Sequence, residues 1–177
     1  MTALNRVPQN TNLLQASKFL LTINRIPNTQ YFCQQANIPG FTLGQSIVNT
    51  PLLDYYAAGN KLTYNTFNIT FMLDEKMQSW IDLHNWFRSI ASPKNFDERN
   101  RLTSMQNPQS MKKSMEQYSD ATLTVLSSLN NPILRVKFYN AFPTVLSDIV
   151  FDVRQSAEDV VTADATFAFD YFDFESA

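Results

Sequence analysis

An α+β fold, mainly antiparallel β with one flanking α-helix, is what this sequence predicts. Three observations lead there. Residues 64–73 alternate, with Phe67, Ile69 and Phe71 on one side and Tyr64, Thr66, Asn68 and Thr70 on the other. A period of two over that length marks a half-buried strand. Residues 75–91 instead place Met77, Trp80, Ile81, His84, Phe87 and Ile90 three and four positions apart, the spacing of an amphipathic helix. The C-terminal third returns to alternation. Ile149, Phe151 and Val153 oppose Asp148, Val150, Asp152 and Arg154, and Val161, Ala163, Ala165, Phe167 and Phe169 oppose Thr162, Asp164, Thr166, Ala168 and Asp170. Two sheets, or an open barrel, should pack around these Phe-rich faces.

In chain order, residues 1–17 are polar and read as an extended arm, and 18–177 as a single domain. Residues 18–25 alternate as a strand through Phe19, Leu21 and Ile23. Ile26-Pro27-Asn28 is a turn, because proline fixes φ and asparagine tolerates left-handed backbone. A second strand is expected over 31–37, ended by Pro39-Gly40. Residues 41–61 read as a loop. Within it 47–54 is at most an edge strand, since Pro51 lacks an N–H, and Ala57-Ala58-Gly59-Asn60 is the turn. Asp74 is placed to cap the helix, with Glu75 favouring its dipole. Arg88 suits the last turn, and Ser92-Pro93 ends it. Trp80, Ile81, His84 and Phe87 are the face expected to pack on a sheet. The insert 94–118 is the most polar block, and so long a connector implies a partner contact. Strands are then expected near 119–129, 133–140, 144–154 and 159–174, with Asn130-Asn131-Pro132 as a hairpin turn.

Composition narrows the function classes. The 177 residues suffice for one domain with its own core. Charged residues make up 17%, below the usual quarter, which implies surface covered by partners. A net charge of −2 and the lack of any basic block argue against gripping nucleic acid by its phosphates. The single cysteine excludes an internal disulfide. The first residues lack a signal-peptide pattern, and no apolar run approaches the roughly 18 residues of a membrane span. The expectation is a chain made and kept in the cytoplasm.

No residue set suggests catalysis, a metal or a cofactor. His84, the only histidine, sits among Trp80, Trp86 and Phe87, where an imidazole is a packing group. Cys33 lies in an apolar strand, where a thiol behaves as a small hydrophobe. Asp120, Asp148, Asp152, Asp164, Asp170 and Asp173 follow the polar faces of strands and need not form an acid pair. Glycine loops for phosphate, zinc spacings and nucleophile elbows are absent from the sequence. Two competing classes remain open: a β-sandwich module binding a glycan or receptor through Tyr55, Tyr56 and Trp80, and a hydrolase built on the aspartates.

The order of several short motifs resembles the tail-tube proteins of contractile-tailed, T-even-like bacteriophages. The motifs are Cys33, Pro39-Gly40, Gly59, the strand 68–73, Asp74-Glu75, Trp86 and Ser89-Ile90. Tyr118-Ser119-Asp120-Ala121, Asn140-Ala141-Phe142-Pro143-Thr144 and Thr166-Phe167 with Tyr171 complete the order, over about residues 18–174. The resemblance implies a non-enzymatic structural subunit of the virion tail, assembled in the host cytoplasm. Six copies would form a ring around a DNA-conducting lumen, stacked on tube or baseplate rings and met by sheath, with no membrane contact. DNA would pass without specific binding. The polar arm and the insert 94–118 depart from the main-tube pattern, so main tube, baseplate tube-initiator and hub ring all stay open. On this view Thr66, Asn68, Thr70, Asp148, Asp152, Thr162 and Asp164 face the lumen. Phe41, Ile47, Leu52, Leu53, Tyr55 and Tyr56 are the expected contacts between subunits.

Overall fold

The computed structural model describes residues 12–94, 117–154, 156 and 159–176. The arm over 1–11 and the insert over 95–116 lie outside the described residues. The elements run β1 (Phe19–Ile23), α1 (Thr29–Phe32), β2 (Cys33–Ala36), β3 (Phe41–Val48), β4 (Tyr55–Tyr64) and β5 (Phe67–Met72). There follow α2 (Gln78–Ala91), β6 (Ser119–Leu126), β7 (Pro132–Leu146), β8 (Thr162–Ala168) and β9 (Tyr171–Ser176).

One antiparallel sheet has the order β1-β6-β7-β8-β5-β2, with β9 also paired to β7. Among the described residues its two ends do not meet, so they close no barrel. The long strand β7 is the spine. Its first part pairs with β6 and β9, and Phe142 to Leu146 pair with β8. Strands β8 and β9 follow one another along the same edge of β7 without a change of register at the corner between them. The sequence expectation of one strand over 159–174 therefore holds in substance, with a break at Phe169 and Asp170.

That break is where the sheet bends into two packed halves. Asn140 takes a left-handed φ of 55° at the corner, a conformation asparagine tolerates better than most residues. Its Nδ2 donates to Asp170 Oδ2 at 2.7 Å, and its backbone N–H donates to Asp120 Oδ1 at 3.3 Å. The corner's polar groups are thus satisfied by side chains. Inside the fold, Phe67 from one half stacks on Phe138 from the other at 4.5 Å between centroids. Leu21, Ile23, Ile69, Phe71, Val136 and Phe167 complete a closed apolar centre. Each such side chain contributes about 1.5–3 kcal/mol through burial.

Several expectations are corrected by tertiary structure. Residues 31–37 do not form one strand. Thr29 Oγ1 donates to Ile26 O at 2.6 Å, closing a turn that continues into the four-residue α1 before β2 begins. The strand over 64–73 is split by a change of partner: up to Asn65, whose N–H donates to Gly40 O at 2.9 Å, the chain pairs toward β3, and from Phe67 it pairs with β8. Residues 41–61 are a two-stranded hairpin, not a loop. Its turn is 49–54, where Pro51 sits, and Ala57 to Asn60 lie inside β4. The helix starts at Gln78 and not at 75. Met77 adopts a left-handed φ of 52°, and Asp74 Oδ1 accepts from Gln78 N–H at 2.9 Å, capping from outside the first turn. Residues 148–154 form no strand, since β7 ends at Leu146 and the chain leaves the sheet.

The helix also presents another face. Ser79, Leu83, Trp86 and Ser89 are its buried residues. Trp80, His84 and Phe87 are half-buried, and Ile81 is 40% exposed. The expected face is thus displaced by about one residue, a rotation of roughly 100°. Trp86 decides the phase. Its ring meets Phe167 at 6.0 Å, its Nε1 donates to Gln117 O at 2.9 Å, and the Arg25 guanidinium lies 5.2 Å from its centroid.

Candidate assembly surfaces

Hairpin β3–β4 pairs only with itself. Phe41, Leu43, Gln45 and Ile47 oppose Tyr64, Leu62, Ala58 and Tyr56 on one side. At the base Tyr64 packs against the core, edge-on to Phe172 at 5.3 Å, and Phe41, 58% exposed, leans on Tyr64 at 6.0 Å. Beyond that point the same side continues uncovered by any described residue through Leu43, Ile47 and Tyr56, Tyr55 is exposed on the opposite side, and at the turn Leu52 and Leu53 are 98% and 74% exposed. All six residues expected to contact neighbouring subunits therefore lie on this one projecting element. Leu43 and Leu62 belong with them and were missed, because reading the segment as a loop hid its alternation.

A bulge sets the direction of the hairpin. The register shifts between Leu43 and Gln45, and there β4 crosses β3 at Gly59. A Cβ on Gly59 would fall 2.5 Å from Gly44 O, so only glycine permits this approach. Gly59→Ala is expected to force the strands apart at a local cost of ~1–3 kcal/mol. Amide exchange should quicken in β3 and β4 and stay unchanged in β6 and β7. Equal protection throughout would show that the bulge relaxes freely.

The second surface is the outer side of β5 and β8. Asn68 pairs with Thr166, Thr70 with Asp164 and Met72 with Thr162. Thr70 Oγ1 donates to Asp164 Oδ1 at 2.6 Å, and Asp164 N–H donates to Ser147 Oγ at 2.8 Å. Asn37 on the flank accepts the Asn68 N–H through its Oδ1 at 2.6 Å and donates Nδ2 to Thr66 O at 3.3 Å. Five of the seven residues assigned to a lumen, namely Thr66, Asn68, Thr70, Thr162 and Asp164, are thus on or at the edge of one polar side. Asn68, Thr70 and Asp164 share a shallow cavity of about 280 Å³ with Gln35, Asn37 and Thr166, which had not been assigned to a lumen. Asp148 and Asp152 lie elsewhere, in the loop after β7. There Asp152 pairs with Arg154 at 2.8 Å, which holds its carboxyl below the usual range.

The residues weighed for catalysis are distributed structurally. Burial pushes the Cys33 thiol up to about 11, the reverse of an activated nucleophile. His84 stacks flat on Trp80 at 5.4 Å. Among the described residues no group of three or more His, Cys, Asp or Glu is arranged to hold a metal, and no helix is long and apolar enough to cross a membrane. Tyr55 and Tyr56 are neighbours on β4 and so project to opposite sides. They cannot form one stacking platform with Trp80.

Known proteins share this arrangement. The family model described as phage tail tube protein matches residues 7–175. The tail tube terminator protein of Enterobacteria phage T4 is 23% identical over 171 residues, covering 93% of this chain and 90% of that relative. A chain from the anti-feeding prophage baseplate superposes with a TM-score of 0.61 at 12% identity, covering 94% of this chain and 98% of its own. The anti-feeding prophage tube-terminating cap gives 0.57 at 13% identity, with both chains covered completely. The sheath/tube terminator of the PVC contractile injection system gives 0.58 at 10% identity, covering 93% and 98%. At these identities the structural likeness establishes the fold, a tube-type β-sandwich with one main helix. The family match runs through almost every residue described above, and on it the chain belongs to the phage tail tube protein family.

Proposed function

We propose that this chain is a structural subunit of a ring at the end of the tail tube in the virion, without catalytic activity. Six copies close the ring, the polar side of β5 and β8 lines the lumen, and DNA passes without being held. The ring adjoins the tube on one side and sheath components around it, and it assembles in the host cytoplasm. The end of the tube is favoured over its length or its baseplate by the relative from phage T4, whose name is tail tube terminator. The observation that carries the assembly reading is the hairpin. Its uncovered apolar side chains exceed what a free monomer ordinarily leaves in water. The open ends of the sheet at β1 and β2 fit as well, since edge strands invite pairing with another copy.

Negative-stain images and sedimentation of the purified chain at high concentration test the ring. Closed rings of six that stop short of long tubes are expected. A chain that remains monomeric, or that polymerises into indefinite tubes alone, contradicts a terminal ring. The lumen is tested separately. Asn68→Lys with Thr162→Lys should leave rings intact while slowing DNA ejection, because ammonium groups in the channel would bind passing phosphates. Unchanged ejection in a phage carrying both substitutions would place this side away from DNA.

A further inference from the structure

The half-buried side of α2 forms one wall of an apolar groove of about 700 Å³. Trp80, His84 and Phe87 line it from the helix, and Leu146, Ile149 and Phe151 from the chain leaving β7. The Trp80 and His84 rings lie 8° from parallel and give the groove a flat wall. Phe151, 76% exposed, stands at its rim.

We infer that this groove receives the β3–β4 turn of a second copy of the chain, with Leu52 and Leu53 as the inserted residues. The assignment rests on the ring-forming reading above and names the surface that covers the hairpin. Three observations support it. First, the turn is pre-shaped: Thr50 Oγ1 donates to Leu53 O and accepts from Leu53 N–H at 3.3 Å. That closure holds Leu52 and Leu53 outward, so little ordering entropy is lost on insertion. Second, the turn presents Pro51 beside two leucines, and proline-containing segments dock well on aromatic-lined grooves. Third, Leu52 and Leu53 are 98% and 74% exposed, so insertion would take nearly the whole of two leucine side chains out of water. Knob and groove lie on different elements, so the contact is head-to-tail. Contacts of that type propagate from copy to copy until a ring closes.

The test uses two full-length variants. Leu52→Asp with Leu53→Asp removes the knob and keeps the groove. Phe151→Asp spoils the groove at an exposed position and keeps the knob. Circular dichroism and a denaturant melt first confirm that both fold as the wild type. Each variant alone should sediment as a monomer, and an equimolar mixture should contain dimers, because one intact knob then meets one intact groove. In the mixture, Leu53→Cys added to the groove variant and Phe87→Cys added to the knob variant should form a disulfide-linked dimer. If the Phe151→Asp variant still builds rings, or the mixture yields neither dimers nor the disulfide, the groove is not the receptor. The ring reading survives that result as long as the knob variant alone fails to assemble. A wild-type chain that stays monomeric overturns both.

Discussion

Removing residues 45–58 is expected to leave a folded monomer that no longer assembles. The cut follows the strand register, since Gln45 pairs with Ala58, and it rejoins the chain at Gly44 and Gly59. It discards Ile47, Leu52, Leu53, Tyr55 and Tyr56 while keeping Phe41 and Tyr64, whose rings meet at 6.0 Å at the base. Because the outer hairpin pairs with no other strand among the described residues, its loss should move the unfolding free energy by no more than ~0.5 kcal/mol, the usual range for surface changes. Assembly should suffer far more. Central apolar anchors of an interface are each worth ~2 kcal/mol or more, so losing several should abolish rings at any accessible concentration. Sedimentation velocity and a denaturant melt read the two effects separately. Rings formed by the deleted chain would remove the hairpin from the assembly.

Trp86→Ala should be the most damaging single change to the monomer, costing ~3–5 kcal/mol as large aromatic truncations do. The ring is 1% exposed, contacts Phe167, carries the Arg25 guanidinium on its surface and donates to Gln117 O. Truncation therefore opens a cavity and removes the shorter of the two bonds that carbonyl accepts, leaving it the Arg25 Nη1 at 3.4 Å. Phe87→Ala, one residue along, removes a half-buried side chain and should cost clearly less. Equilibrium denaturation of both variants decides between the two helix faces. Equal costs, or a larger cost at Phe87, would return the buried face to the one expected from the sequence.

The helix shows how far a sequence reaches. The three- and four-residue spacing of apolar side chains in 75–91 specifies helix, but both Trp80 and Trp86 satisfy it, and each lies on a plausible apolar stripe. The choice belongs to what the helix meets. Phe167 and Arg25 are supplied by elements far away in the chain, and they select Trp86. The assembly surfaces divide in the same way. Alternation marked Asn68 and Thr70 as the polar side of one strand and Thr162 and Asp164 as that of another, and the pairing of β5 with β8 made them one side. Alternation could not add Asn37, whose place depends on how β2 lies against β5.

Local pattern was enough wherever a single periodicity held without competition. The inward sides of β5 and β8, the β6–β7 turn at Asn130 and the α+β class follow from the order of side chains, because each is decided by neighbours a few residues away. Tertiary structure alone made 41–64 a projecting hairpin and carried β7 across the corner as one strand. It also moved 148–154 off the sheet, although Ile149, Phe151 and Val153 alternate as cleanly as a strand requires. The physical reason is shared. Backbone N–H and C=O groups must find partners, and whether a stretch pairs depends on which strand lies beside it. Here Gly44 and Gly59 let two strands cross, Asn140 and Asp170 let two halves bend together, and among the described residues no strand pairs with 148–154.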